Sequence, residues 1–189
     1  MSQTRLLALV GSLRAASINR RLAEAAAKTA AEGVEITLYE GLADIPFYNE
    51  DLDVEGKVPA AAQALRDAVA AADGLLLVTP EYNGSLPAVL KNAIDWASRP
   101  YGAGALKEKP AAVVSASISQ NAAKWAHGDT VKVLGVAGAG VVEGAHLHFG
   151  VIGQRFAETH PVDDAEALTQ LAATIGTLVD ATRGKLVTV

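Results

Sequence analysis

A chain of 189 residues, half hydrophobic and a fifth charged, has the size and composition of one globular domain with its own core. A formal charge of −5 excludes a broadly basic surface for nucleic acid or anionic membrane, which bind through clustered Lys and Arg. No cysteine is present, which excludes disulfides, thiolate metal sites and cysteine nucleophiles together.

In chain order, Leu6 to Val10 is a short apolar run that reads as a buried strand. Five apolar residues before Gly11 are too few for a signal-peptide core, and no stretch approaches the roughly 20 apolar residues of a membrane span, so a cytoplasmic protein is expected. A helical pattern follows from Ser17 to Ala31, with Gly33 as its C-cap glycine. Val34 to Leu38 alternates with period two and reads as the second strand. After a turn-rich stretch to Gly56, Pro59 opens a helix lasting to Ala72, and Leu75 to Val78 is a third strand, apolar on both faces. Pro87 starts a helix with Leu90, Ala93, Ile94 and Ala97 on one face. Ala111 to Ser115 is a fourth strand, Asn121 to Leu134 a helix, and Val141 to Phe149 a fifth strand interrupted at Glu143-Gly144. Asp163 then caps a final helix, with Glu166 in a capping-box position and a stripe of Leu168, Leu171, Ala172, Ile175, Leu178 and Val179. The whole of 1–189 reads as one domain.

Strands alternating with helices imply a parallel sheet covered on both faces, whose ligands bind outside the carboxyl ends of the strands. Three loops stand there. Gly11 to Arg20 joins a strand to a helix amino end, where free N–H groups favour an anion. Ser12, Ser17 and Asn19, flanking Ile18, add neutral donors, and Arg14 adds a forked cationic one. The plainer reading of the same residues makes Ser17 an N-cap and Arg14 a solvated side chain. This loop is neither GxGxxG nor a nucleoside-triphosphate loop. The second loop, Pro80-Glu81-Tyr82-Asn83-Gly84, has a turn in which Asn83-Gly84 supplies φ > 0 conformations and whose backbone can edge a planar ring. The third, starting at Ser115 and Ser117, is polar and small and suits the far side of a flat cofactor. Together they read as a phosphate pocket, a ring-edge turn and a ring wall.

The motifs Gly-Ser-Leu-Arg-x-x-Ser-x-Asn and Pro-Glu-Tyr-Asn-Gly-Ser-x-Pro-x-x-Leu-Lys-Asn-Ala-Ile-Asp-Trp give the chain a resemblance to the NADPH-dependent FMN reductases over residues 5 to 149. The resemblance implies a flavodoxin-like α/β fold, a five-stranded parallel sheet in the order 2-1-3-4-5 with helices on both faces. It implies an enzyme carrying electrons from NADPH or NADH through FMN to a quinone or similar small acceptor, or reducing FMN itself, with no catalytic side chain and no metal. Ser12, Arg14, Ser17 and Asn19 would hold the phosphate. Pro80, Glu81, Tyr82, Asn83 and Gly84 would border the isoalloxazine, with Ser115 and Ser117 across from it. Many relatives carry Gly-Gly in the third loop, where this chain has Ser119-Gln120-Asn121-Ala122-Ala123. The resemblance also implies a homodimer or homotetramer built partly on the helix after Pro87, with Phe47 and Tyr48 near a neighbour's flavin. The helix itself places Lys91, Asn92, Asp95 and Trp96 on faces that a lone domain would leave wet.

Two rivals share these residues: a flavodoxin-like electron carrier without nicotinamide turnover, and a binding module without flavin. His146 and His148 share a strand face but lack a third ligand in the sequence, and Trp125 and His127 read as packing on a helix.

Overall fold

The computed structural model describes residues 3–184. Strands β1 (Thr4–Val10), β2 (Val34–Leu38), β3 (Gly74–Thr79), β4 (Pro110–Ala116) and β5 (Gly140–Phe149) form one parallel sheet in the order β2-β1-β3-β4-β5. This is the strand order expected of a flavodoxin-like sheet. Alternation along β1 divides the core in two. Leu6, Ala8 and Val10 face α1 (Ile18–Lys28), the short α5 (Ile152–Arg155) and α6 (Ala165–Thr182). Leu7 and Leu9 face α2 (Ala60–Ala71), α3 (Ala88–Ala97) and α4 (Lys124–Val136). Helices thus cover both faces, and β3, central in the sheet, is buried at every residue. Truncating a leucine such as Leu76 or Leu77 there costs about 2–5 kcal/mol.

Several boundaries differ from the sequence reading. Helix α1 ends at Lys28 with Thr29 as its cap, and Gly33 (φ 80°) instead turns the chain into β2, its carbonyl accepting from Thr4 N–H at 2.8 Å. Asp164, not Asp163, caps α6: it accepts from the N–H of Ala167 at 2.9 Å while pairing with Arg155 at 2.8 Å. These contacts hold the Asp164 carboxyl down at about 2, the Arg155 hydrogen bond contributing most. Glu166 accepts from Arg155 rather than closing a capping box. Ala172 is exposed, and Ala167 and Thr174 join the buried face in its stead.

Glu143-Gly144 does not end the fifth strand. The five-residue step from Val141 to His146 stands opposite the two-residue step from Ala111 to Val113, a bulge at which Gly144 has φ 80°. Downstream, Ser115 pairs with His148. No helix among the described residues is long and apolar enough to cross a membrane.

Candidate cofactor site

The carboxyl ends of β1, β3 and β4 surround a cavity of about 240 Å³. Its wall is made by Ser12, Arg14, Ser17, Ile18 and Asn19 from the first loop, Pro80, Glu81 and Tyr82 from the second, and Ser117 from the third. Nine of the twelve residues expected at this site therefore meet at one cavity.

Each first-loop residue has a separable task. Ser17 is the N-cap of α1, its Oγ accepting from Arg20 N–H at 3.4 Å, and it also lines the cavity. Arg20 is committed elsewhere, to Glu24 at 3.1 Å and Glu40 at 2.7 Å. Arg14 makes no ion pair among the described residues and lies exposed on the cavity rim, the available cation beside a helix amino end. Asn19 donates to the Ala116 carbonyl at 3.4 Å, tying α1 to β4, while its Oδ1 is buried without a partner. An orphaned acceptor on a cavity wall calls for a donor from a ligand or water, because leaving it bare costs on the order of 1–3 kcal/mol.

The second loop is clamped onto α4. Tyr82 and Ser85 exchange backbone hydrogen bonds at 3.1 and 3.2 Å around Asn83 (φ 53°) and Gly84 (φ 76°), a tight turn with both central residues left-handed. Glu81 accepts from the N–H groups of Trp125 and Ala126 at the start of α4. Ser85 donates to Asp129 at 2.6 Å. Asn83 and Gly84 do not reach the cavity wall. A side chain added at Gly84 would instead face the Trp125 indole, 3.6 Å away. Trp125 is itself 65% exposed, so it is a surface neighbour of this turn rather than the packing residue expected.

Ser115 is also withdrawn from the cavity: it is fully buried, donating to the Ala122 carbonyl at 2.8 Å and standing 2.8 Å from His148 Nδ1. The wall gains three residues that the sequence reading missed, Ala116, Ile118 and Ile152. Ile152 comes from α5, in the long connection between β5 and α6, and the length of that connection is a signal of function in the sequence.

Asn92 accepts from Tyr48 N–H at 2.8 Å and donates to the Pro46 carbonyl at 3.0 Å, and Trp96 Nε1 donates to that same carbonyl at 2.8 Å. Asn92 and Trp96 are thus buried within this chain, against the expectation that they stand wet. Tyr48 is held too, its hydroxyl donating to Asp53 and its ring edge-on to Trp96, whereas Phe47 projects at 78% exposure. A wider cleft of about 620 Å³ lies between α3 and α4, lined by Asp95, Arg99, Tyr101, Lys132 and Val136, and touches none of the three loops. Among the described residues, no group of three or more His, Asp or Glu is placed to hold a metal ion.

The sequence profile of the NADPH-dependent FMN reductases matches residues 4–153. The chain belongs to that family. A 2-hydroxy-1,4-benzoquinone reductase of a Burkholderia species is 43% identical over 114 residues, 60% of this chain and 61% of that one. A quinone reductase of Pseudomonas putida is 47% identical over 118 residues, 62% of each chain. The chain spans about six tenths of the length of these curated relatives. Among solved structures, FerB, a flavoenzyme NAD(P)H:(acceptor) oxidoreductase from Paracoccus denitrificans, superposes with a TM-score of 0.85 at 32% identity. That match covers 97% of this chain and 100% of FerB.

Proposed function

We propose that this chain is an NAD(P)H-dependent oxidoreductase that holds FMN at the β1–β3–β4 cavity and reduces a quinone or similar small acceptor, or FMN itself. The observation that carries this reading is the unpaired Arg14 guanidinium standing with Ser12 and Ser17 at the amino end of α1, beside the buried orphan acceptor of Asn19. An anion end and a hydroxyl-bearing chain are what such a wall accepts, and a ribityl phosphate has both. FMN, when bound, supplies the redox chemistry, accepting a hydride from a nicotinamide and releasing electrons as a pair or singly.

The protein's own part is binding and orientation. Arg14, Ser12 and the α1 N–H groups neutralise the phosphate. Asn19 Oδ1 would accept a hydrogen bond from a ligand hydroxyl. The Pro80–Tyr82 segment, stiffened by Glu81 on α4, would edge the ring, and Ser117 and Ile118 would wall its other side. Half-exposed Tyr82 and 77%-exposed Ile118 leave the mouth open to exchanging partners. A donor and an acceptor would therefore use one mouth in turn. Mixing the purified, FMN-loaded protein with NADPH or NADH under nitrogen tests this: rapid loss of flavin absorbance, restored by a quinone, is expected. A flavin that stays oxidised in both nicotinamides would place the chain with electron carriers instead.

We further infer a single domain over 1–189, a cytoplasmic location, and a homodimer or homotetramer. The α3–α4 cleft supports the last, since Tyr101 and Val136 stand 88% and 80% exposed on its wall. A monomer by light scattering at micromolar concentration would count against assembly.

A further inference from the structure

The loop that carries Ser117 and Ile118 onto the cavity wall has an uncomfortable backbone. Ala122 and Ala123 have φ of 55° and 57°, the left-handed region in which an L-residue with a Cβ costs about 1–2 kcal/mol each. Both are buried, so the conformation is imposed by what surrounds them. Backbone bonds supply part of the hold: Ala122 N–H donates to Ser119 and His127 N–H donates to Ala123. Among the described residues, one side chain reaches this pair of alanines by hydrogen bond, Ser115 from β4, whose Oγ lies 2.8 Å from the Ala122 carbonyl.

The proton count decides the direction of the next bond. A carbonyl can only accept, and a serine hydroxyl has one proton. Ser115 therefore gives its proton to Ala122 and must accept from His148, whose Nδ1 lies 2.8 Å away. The sequence is His148 Nδ1–H to Ser115 Oγ–H to Ala122 C=O, which fixes the His148 tautomer. The ring is in turn held by His127 of α4, with centroids 4.2 Å apart, and His127 Nε2 lies 3.0 Å from His146 Nδ1. Desolvation lowers all three imidazoles from their ordinary range, most strongly at buried His127, while His148 keeps an exposed edge.

We propose that His148, acting through Ser115, is a positioning residue for the ligand cavity: it holds the left-handed Ala122–Ala123 backbone that sets the Ser117–Ile118 wall. This would be how a chain with alanines at these positions keeps a wall that glycines would form without restraint. The inference rests on the FMN reading only for its ligand.

The test uses His148→Phe, which keeps a ring and removes the donor, and Ser115→Ala, which removes the hydroxyl alone. His148→Asn is the conservative variant, because its amide N–H stands where Nδ1–H stood. Hydrogen exchange on the ligand-free proteins and FMN affinity by fluorescence are read together. In His148→Phe and Ser115→Ala, amides of 117–124 exchange about tenfold faster while those of β1 and β2 do not change, and FMN binds about five- to tenfold more weakly. His148→Asn stays near wild type in both. Wild-type exchange across 117–124 in both His148→Phe and Ser115→Ala overturns the proposal, as does a His148→Asn protein no better than His148→Phe. If wild-type protein itself binds no FMN, the flavin reading fails, and the exchange comparison still decides the role of His148.

Discussion

The carboxylate of Glu81 lies 3.1 Å from the backbone N–H of Trp125, 44 residues further along the chain, and caps the first turn of α4. A loop that edges the cavity is thereby attached to the free amino end of α4, where a negative charge is favoured by the helix dipole. Glu81→Ala is expected to lose about 1 kcal/mol, a fall of about 2–4 °C in Tm for a domain of this size. FMN affinity should fall as well, since the Pro80–Tyr82 edge is no longer pinned. Unchanged melting would remove Glu81 from the capping role.

Arg14 offers a cleaner separation of ligand parts. Arg14→Ala should weaken FMN binding by about tenfold or more, the scale of a charge-assisted contact, and leave riboflavin nearly unaffected because it lacks the phosphate. Fluorescence titration with both flavins measures this. Equal losses for the two would take Arg14 away from the phosphate.

Gly84 is expected to matter to folding more than to the ligand. Gly84→Val forces a β-branched residue into φ 76° and towards the Trp125 ring. A stability loss of about 1–3 kcal/mol follows from the backbone alone. Calorimetry should show it, while the folded fraction binds FMN within a few-fold of wild type. A folded Gly84→Val protein that has lost FMN altogether would return Gly84 to the ring edge.

The histidine cluster makes the fold acid-sensitive, with a defined sign. Burial, then the neighbouring His148 and His146, pushes His127 down to about 3. Lys124 adds to this at His148, and Glu143 opposes it at His146. Above pH 6.5 the imidazole is neutral folded or unfolded and contributes no pH dependence. Below it the unfolded chain takes up a proton that folded His127 refuses until about pH 3, so stability falls as pH falls through that window. The slope is at most about 1.4 kcal/mol per pH unit for one proton, and less where water screens the ring. His127→Gln should flatten the profile between pH 6.5 and 4, as read by chemical denaturation. An unaltered profile would exclude His127 as the source.

The parts most legible in the sequence were those set by local rules. Apolar runs placed β1 to β4, and loop chemistry at their carboxyl ends brought Arg14, Asn19 and Tyr82 to one cavity. What could not be read depended on distant partners. Between adjacent Asp163 and Asp164, the cap was decided by Arg155 on a helix of four residues. Trp96 and Asn92 look wet on a helical wheel, yet the Pro46 carbonyl takes hydrogen bonds from both. Ser115 and Ser117 are equivalent on paper, but strand pairing puts His148 beside only the first. Trp125 was hidden by its helix starting after two left-handed alanines, which moves every face of α4 relative to a helix drawn from Asn121.

The bulge at Glu143-Gly144 has a reach far beyond its own turn. By adding an odd number of residues to β5, it reverses the parity of everything that follows: even-numbered His146 and His148 meet α4, while odd-numbered Leu147 and Phe149 meet the opposite core. Deleting a single residue there would not be a local lesion. It would turn the downstream strand inside out, driving imidazoles into the aliphatic layer under α6 and Phe149 out of it. One glycine thus acts as a frame marker, and the chemistry of the last half-strand is written in the frame it sets.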